Sequence, residues 1–339
     1  MRHQLPPVAI LCLLATSASA QGPVPAEAEL FHRLDAAIDS LERAGRFSGV
    51  VMLGRKGEPV FQRAVGFANR DAMRPNEPGT RFNLGSINKT FTATAIRQLA
   101  AEGKIALDSP LVRAWPDYPN AEVARKVTVR QLLGHRSGVG GNIFGEPTGG
   151  SRSDIRHNND FLQLFVSEPL QFEPGTSQRY SNAGYVVLGM LVERLSGEDY
   201  YEYVRRHIYE PAGMTETSHT PAGEITAATA IGYTRGALGA RPDAPLGSNT
   251  AFLPGRGSAA GGGYSTAADL LRFVQALREG KIAEGEPPGI GIAGGAPGIN
   301  ATLDGDLPGG YDLVVLANLD PPAAQALAAV IRGWLGAAD

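Results

Sequence analysis

The sequence predicts a mixed α/β (α+β) fold in which an antiparallel sheet is flanked by helices from both ends of the chain. Apolar residues recur with a helical period over 29–44, and a β-rich hairpin follows directly over 47–67. Further β-rich segments return only after residue 288, before an apolar helix at 323–335. Because mostly helical patterns separate these two groups of strands, we also predict an inserted helical subdomain.

The N-terminal elements follow from period and turn signals. Residues Glu29–Ala44 repeat apolar side chains every three or four positions and predict a helix. Phe47–Leu53 and Pro59–Phe67 are rich in β-favouring residues, and Gly54–Gly57 between them predicts a hairpin turn. Thr90–Ala101 then predicts a helix that ends before Gly103.

The middle of the chain reads as short helices joined by loops. A helical turn is predicted at Thr128–Leu133, and longer helices at Ala183–Ser196 and Tyr200–Tyr209. Residues 220–262 are loop-rich. These patterns place a helical part at about 111–239.

The C-terminal elements complete the predicted sheet. Thr266 and Asp269 form a predicted capping pair at the start of a helix over Ala267–Arg278. Strands are predicted at Gly289–Ile292, Asn300–Leu303 and Tyr311–Leu319, and a closing helix at Ala323–Leu335. We therefore expect the α/β part to comprise about 21–110 and 240–339, within one domain over 21–339.

The first twenty residues have the features of a bacterial signal peptide. Arg2 precedes a short apolar stretch over 8–15, and Ala18-Ser19-Ala20 resembles a signal-peptidase site. We expect cleavage after Ala20, a mature chain beginning at Gln21, and a periplasmic or secreted protein. No later stretch is long and apolar enough to predict a transmembrane anchor.

Composition narrows the possible partners. The formal net charge is −3, and no run of like charge suggests a polyanionic partner, so nucleic acid binding is not expected. The single cysteine, Cys12, lies in the predicted signal peptide, so the mature chain has neither a disulfide nor a thiol nucleophile. No H-E-x-x-H or comparable histidine spacing predicts a metal site, and no cofactor is expected. The sequence does not predict an oligomeric state.

A serine and a lysine one helical turn apart are the first candidates for chemistry. Ser86 and Lys89 open the helix after the hairpin and form the one S-x-x-K pattern in the chain. Residues three apart share a helix face, and a lysine held in a dry site can accept a proton from a hydroxyl. The alternative interpretation is a helix-capping serine beside a solvated lysine.

A second candidate group is Tyr180-Ser181-Asn182. A tyrosine near a cation can act as a base, and an asparagine can orient the lysine or a substrate carbonyl. The group leads directly into the helix over 183–196, whereas the similar Tyr118-Pro119-Asn120 lies in a loop. The alternative interpretation is a structural tyrosine followed by a helix-capping asparagine.

Together these motifs resemble the serine β-lactamase and penicillin-binding protein family, in its class C β-lactamase, D-alanyl-D-alanine carboxypeptidase and esterase branch. The stretches that carry the resemblance are Phe82–Ser86, Thr128–Gly138, Phe172–Gly175 with Tyr180–Asn182, Glu210–Met214 and Gly261–Ala267. The resemblance implies a β-lactamase-like fold and an acyl-enzyme on Ser86, with Lys89, Tyr180 and Asn182 as the other catalytic residues.

The family's third motif is altered in this chain. The resemblance places it at Ile292-Ala293-Gly294, with Ile292 where the family carries a lysine or histidine that helps to bind a substrate carboxylate. These three residues are the predicted substrate-binding residues. The resemblance also implies an oxyanion hole made by the backbone N–H groups of Ser86 and Gly295, which does not need the missing cation.

These observations predict an exported serine hydrolase that cleaves an ester or amide of a small-molecule or peptide substrate, and Ile292 favours an esterase. Two alternatives remain. One is a β-lactamase or D-alanyl-D-alanine carboxypeptidase acting on cell-wall-type substrates. The other is a non-catalytic module that binds peptidoglycan fragments or a protein.

His135 is interpreted as a turn residue and Ser265 as a helix cap.

Overall fold

A five-stranded antiparallel sheet joins the two halves of the chain in the computed structural model, which describes residues 26–144, 150–224, 226–236, 244–283 and 290–336. Its strands are β1 (Gly49–Arg55), β2 (Glu58–Val65), β3 (Gly291–Ala296), β4 (Ile299–Leu307) and β5 (Tyr311–Ala317). Their spatial order is β2-β1-β5-β4-β3. The N-terminal hairpin therefore pairs with the last strand, and β3 forms one edge. The predicted sheet with strands from both halves is confirmed.

Helices cover the sheet and fill the segment between its two groups of strands. The α-helices are α1 (Glu27–Arg43), α2 (Asn88–Ala101), α3 (Ala121–Lys126), α4 (Val129–Leu133), α5 (Asn158–Leu162), α6 (Asn182–Ser196), α7 (Tyr200–Val204), α8 (Glu210–Ala212), α9 (Ala267–Arg278) and α10 (Ala323–Leu335). Short 3₁₀ helices lie at Gly85–Ile87, Leu111–Arg113, Arg152–Asp154, Ala222–Glu224 and Thr250–Phe252, and a π-helical turn at Arg205–Tyr209. Two-stranded ribbons join Phe67–Asn69 to Arg74–Pro75, Phe82–Asn83 to Tyr264–Ser265, and Tyr233–Thr234 to Gly247–Ser248.

The three inner strands of the sheet, β1, β5 and β4, are buried on both faces because each face packs against helices. Side chains alternate between the faces of a strand, and on β1 Val51 belongs to a core with α1 and α10. Its neighbour Val50 belongs to a second, larger core that contains residues of α2, α6 and α9. The second core extends into the helical segment, so α2 and α6 share a core with this face of the sheet.

Most predicted elements are present with shifted ends. The hairpin turn is shorter than predicted, because β1 continues to Arg55 and only Lys56 and Gly57 form the turn. Both adopt left-handed backbone conformations, with φ of 53° and 80°. The predicted helix Tyr200–Tyr209 divides into α7 and the π-helical turn. The division into an α/β part and a helical part stays a prediction.

Two local interpretations near α9 need correction. Thr266 caps α9, because its hydroxyl accepts the Asp269 N–H at 3.2 Å, but the Asp269 carboxylate does not return to the cap. It accepts instead from the Thr217 hydroxyl at 2.7 Å. Ser265 is fully buried and pairs with the Thr217 hydroxyl at 2.7 Å, so it is not the helix cap.

The predicted signal peptide and its cleavage site lie outside the described residues. Among the residues that the structure describes, no helix is long and apolar enough to cross a membrane.

Candidate active site

The turn that carries Ser86 is built by the residues before it. The Asn83 side chain accepts the Gly85 N–H at 2.9 Å, and Gly85 adopts a left-handed φ of 51° that glycine allows at little cost. The 3₁₀ turn Gly85–Ile87 then continues directly into α2. This arrangement leaves Ser86 partly exposed at the start of a long helix and places Lys89 one turn further along.

Lys89 is buried, and its ammonium group is surrounded by oxygen atoms. The side chain is 2% exposed. Its Nζ lies 3.2 Å from Ser86 Oγ and 2.8 Å from Asn182 Oδ1, and it also bonds to the Ala260 carbonyl. The lysine is therefore not the solvated side chain of the alternative interpretation.

Burial lowers the pKa of Lys89 from 10.5 to about 7, because a dry site disfavours the charged amine. A neutral amine has two N–H donors and one lone pair. The contacts match that inventory when the two donors serve Asn182 and Ala260 and the lone pair accepts the Ser86 hydroxyl proton. Lys89 is thus placed to act as the base for Ser86.

Tyr180 approaches Ser86 from the other side. Its hydroxyl donates to Ser86 Oγ at 2.5 Å, across 94 residues of sequence, and the side chain is 55% exposed. Burial of the rest of the group raises the pKa of Tyr180, and the bond to Ser86 offsets this in part. The phenol therefore stays protonated at neutral pH, which favours Lys89 over Tyr180 as the resting base.

The start of α6 brings Asn182 to the lysine. Ser181 caps this helix, because its hydroxyl accepts the Gly184 N–H at 2.9 Å, and the same hydroxyl donates to the Val139 carbonyl at 2.6 Å. The cap is therefore Ser181 and not Asn182. Since Asn182 is not needed as a cap, its side-chain oxygen is free to accept from Lys89.

The edge strand β3 lies against the Ser86 turn through its glycines. A methyl group on Gly294 would fall 2.9 Å from Ser86 N and 2.0 Å from the Leu84 carbonyl oxygen. A methyl group on Gly85 would fall 3.0 Å from Gly295 N. The predicted oxyanion donors, the N–H groups of Ser86 and Gly295, thus belong to two segments in direct contact.

The other predicted substrate-binding residues lie on the same strand. Ile292 is half-buried and packs against the larger core, and it shares a face of β3 with Gly294 because the two are separated by two positions. Ala293 is exposed and belongs to the opposite face. The position at which the resemblance predicts a cation therefore carries an apolar side chain.

Arg256, in the loop before Gly261, contacts residues outside the third motif. Its Nε donates to the His219 carbonyl at 2.7 Å, and its guanidinium stacks 3.6 Å from the centre of the Tyr201 ring. These contacts hold the arginine within the helical segment.

His135 supports the site, a role that the sequence did not reveal. Its ring packs 4.7 Å from the Tyr180 ring, and its Nδ1 accepts the Ser181 N–H at 3.2 Å. Burial and the nearby Lys89 lower the pKa of His135, so the imidazole is neutral and can accept this bond. The available signal was its position inside the stretch Thr128–Gly138 that carries the family resemblance.

Tyr118, from the similar Tyr118-Pro119-Asn120 segment, does not take part in these contacts. Tyr118 is 4% exposed and packs edge-on against Trp115 at 4.9 Å. Asn120 caps α3 by accepting the Val123 N–H at 3.2 Å.

Across the described ranges, no group of three or more His, Cys, Asp or Glu side chains is arranged to hold a metal ion.

The chain is similar to known proteins in both sequence and fold. The Beta-lactamase family profile matches residues 34–331. PbpX, a penicillin-binding-type protein of Bacillus subtilis, is 34% identical over 236 residues, which are 70% of this chain and 56% of PbpX. Esterase EstB of Burkholderia gladioli is 32% identical over 280 residues, or 74% of this chain and 71% of EstB. The crystal structure of a penicillin-binding protein from Bacillus halodurans superposes with a TM-score of 0.74 at 29% identity, covering 86% of this chain and 98% of that one.

The fold, the family profile and the homologues define the class of protein: a β-lactamase-type domain, whose homologues include an esterase and penicillin-binding proteins. More particularly, the chain belongs to the Beta-lactamase family, whose profile covers most of its length. The matched region nevertheless spans only about half the length of PbpX.

Proposed function

We propose that this chain is an exported esterase-type serine hydrolase that forms an acyl-enzyme on Ser86. One observation carries the proposal: Ser86 Oγ lies 3.2 Å from the buried Lys89 amine and 2.5 Å from the Tyr180 hydroxyl. A hydroxyl flanked by a base and a proton donor is the arrangement that nucleophilic catalysis requires. The leader-like composition of residues 1–20 supports export.

In the acylation step, Ser86 Oγ bonds to the carbonyl carbon while its proton passes to the Lys89 lone pair. The carbonyl oxygen becomes an oxyanion, which the N–H groups of Ser86 and Gly295 stabilise. The C–O bond to the leaving group then breaks. The leaving alkoxide takes its proton from the Tyr180 hydroxyl, and the Lys89 ammonium reprotonates Tyr180, so the amine is neutral again.

Deacylation reverses the proton path. Water attacks the acyl carbon as its proton moves to the Lys89 and Tyr180 pair, and the new tetrahedral intermediate uses the same two N–H donors. When the bond between the acyl carbon and Ser86 Oγ breaks, the proton returns to the serine. No step requires a group other than this chain's own residues and water.

The substrate class follows from the third motif. Ile292 offers no charge and no hydrogen-bond donor, so a substrate carboxylate at this position would lose hydration without gaining a partner. A neutral acyl ester loses nothing there. We therefore propose short neutral esters as the preferred substrates, and the likeness to EstB supports an esterase.

The direct test is covalent labelling. A fluorophosphonate probe should add one adduct to the wild type, which peptide mass spectrometry should place on Ser86. Ser86→Ala should show no adduct and no ester hydrolysis. Ser86 makes no helix-capping hydrogen bond, so this variant should unfold at nearly the wild-type temperature. Full ester hydrolysis by Ser86→Ala would overturn the mechanism.

The likeness to PbpX favours a second candidate, a β-lactamase or D-alanyl-D-alanine carboxypeptidase activity at the same serine. Intact-mass spectrometry after exposure to a panel of activated esters and β-lactams separates the two. Faster acylation by β-lactams than by neutral esters would favour the second candidate. Absence of any adduct in the folded protein would favour a non-catalytic binding module, which the loss of the motif's cation would also fit.

A further inference from the structure

Asn300 lies on β4, is fully buried, and uses every hydrogen-bonding position of its side chain. Its Nδ2 donates to the Gly294 carbonyl at 3.1 Å and to Gln325 Oε1 at 2.8 Å. Its Oδ1 accepts the backbone N–H groups of Ala324 at 2.6 Å and of Gln325 at 3.1 Å. The side chain therefore bridges the edge strand and the first turn of α10.

The carbonyl that Asn300 holds belongs to the peptide unit that supplies the proposed oxyanion donor. In a trans peptide the C=O of Gly294 and the N–H of Gly295 point in opposite directions. Asn300 binds the carbonyl from β4, the inner neighbour of β3. The N–H of Gly295 is thereby directed to the open edge of the sheet, where Gly85 and the Ser86 turn lie.

The other side of the bridge is firmly anchored. The residue before α10 is Pro322, and no side-chain hydrogen bond is made from that position. Asn300 Oδ1 satisfies two of the N–H groups that a helix start leaves unpaired. The two contacts of the oxygen and the contact with Gln325 fix the amide group. Asn300 therefore cannot rotate without losing its hydrogen bonds to the first turn of α10.

We infer that Asn300 is a positioning residue that sets the orientation of the Gly294–Gly295 peptide for oxyanion stabilisation. The inference rests on the proposed function, since it needs Gly295 N–H to receive the oxyanion. Loss of one oxyanion donor lowers kcat by about 100- to 1,000-fold in other serine hydrolases. A misaligned donor should therefore lower kcat while leaving the binding of the ground-state ester unchanged.

The test is Asn300→Asp, which keeps both acceptor contacts to α10 and replaces the donor with an oxygen facing the Gly294 carbonyl. At pH 8 we expect kcat for a neutral ester to fall at least tenfold with KM within twofold of wild type. Affinity for phenylboronic acid, which forms a tetrahedral adduct with a serine hydroxyl, should fall in parallel. Protonation of the new carboxyl restores a donor, so the ratio of variant to wild-type kcat should rise as the pH falls.

A matched control is Asn318→Asp. Asn318 is also buried, and its Nδ2 donates to the Phe67 carbonyl at 2.9 Å and the Ile231 carbonyl at 2.7 Å. The same chemical change there should leave kcat within twofold. Should Asn300→Asp fail to fold, Gln325→Met removes one anchor of the amide while keeping the Gly294 bond. That variant should lower kcat by about two- to fivefold at constant KM.

Three results would overturn the inference: an unchanged kcat in folded Asn300→Asp, an equal loss in Asn318→Asp, or a loss confined to KM. If Asn300→Asp does not fold, an unchanged kcat in Gln325→Met would overturn the inference. Labelling of Ser86 in the wild type separates this outcome from failure of the proposed function. If Ser86→Ala is inactive and Asn300→Asp keeps its kcat, only the positioning role is wrong.

Discussion

The side-chain oxygen of Asn182 lies 2.8 Å from the amine of Lys89, although 93 residues separate them in sequence. This contact uses one N–H of the lysine, and the Ala260 carbonyl uses another. The remaining position on the nitrogen faces Ser86. Asn182 therefore orients the base, and the protonation state of Lys89 should govern the rate.

The pH dependence of ester hydrolysis should follow Lys89. The pKa of this amine is lowered to about 7, so the neutral, reactive form dominates above pH 7. We expect kcat/KM to rise about tenfold per pH unit below pH 6 and to level off above pH 8. A profile that is flat between pH 5 and 8 would contradict this role for Lys89.

Replacing the orienting amide by a carboxylate should move that profile. Asn182→Asp places a negative charge beside Lys89, which favours the ammonium form and raises the pKa of the amine. The rising limb of kcat/KM should shift upward by at least one pH unit. Asn182→Ser, which keeps a neutral side chain that can accept a hydrogen bond, should leave the midpoint near that of wild type. Equal midpoints in both variants would refute the orienting contact.

Lys89 and Tyr180 should behave as one proton relay. Both contact Ser86 Oγ, at 3.2 Å and 2.5 Å. Lys89→Ala and Tyr180→Phe should each lower kcat by at least 100-fold, and the double variant should be little worse than the worse single one, because residues that act as a unit are non-additive. Tyr118→Phe should leave kcat unchanged. Losses that multiply in the double variant would show two independent roles.

The close approach of β3 to the nucleophile turn predicts a strong effect of one methyl group. In Gly294→Ala the new carbon would fall 2.0 Å from the Leu84 carbonyl oxygen and 2.9 Å from Ser86 N. We expect at least 100-fold lower kcat and a loss of about 1–3 kcal/mol in the free energy of unfolding from overpacking. On the same strand, Gly291→Ala meets only Asp304 Oδ1 at 3.8 Å. It should change neither quantity measurably; an equal effect of both variants would contradict the argument.

Ile292 should set the preference between neutral and anionic substrates. In Ile292→Lys the ammonium group of the new lysine can pair with a substrate carboxylate. The ratio of kcat/KM for penicillins or D-alanyl-D-alanine peptides over neutral esters should rise at least tenfold, about 1.4 kcal/mol. The control Ile292→Met, which conserves size and neutrality, should leave the ratio unchanged. Wild-type hydrolysis of β-lactams faster than neutral esters would show that the third motif does not decide the substrate.

The sequence predicted the sheet and the catalytic group because both depend on local signals. The apolar period placed α1 and α10, and the unique spacing of Ser86 and Lys89 marked the proposed nucleophile. Tyr180 stood out from Tyr118 because it follows Phe172–Gly175 and leads into an apolar helix. In each case the residues that give the signal are close together in sequence.

The supporting residues could not be predicted because their roles depend on distant contacts. His135 is the turn residue that the sequence predicted, with a left-handed φ of 56°, but its packing on the Tyr180 ring was not predictable. Ser181 caps α6, so the Asn182 side chain can accept from Lys89. This arrangement also depends on the distant carbonyls of Val139, which binds Ser181, and Ala260, which binds Lys89. Asn300 was predicted only as the first residue of a strand. Its role depends on β3 and α10 meeting around it.

The pairing of β1 with β5 has a consequence for biosynthesis. Gly49 lies opposite Ala317, so the N-terminal hairpin gains its inner neighbour only after most of the chain has been synthesised. Contacts this distant in sequence form slowly, because the entropy cost of closing a long loop comes before the contacts can stabilise the chain. The nucleophile turn and the strand facing it also come together only then. A nascent chain that stops before β3 should therefore be inactive however much of its helical segment has folded.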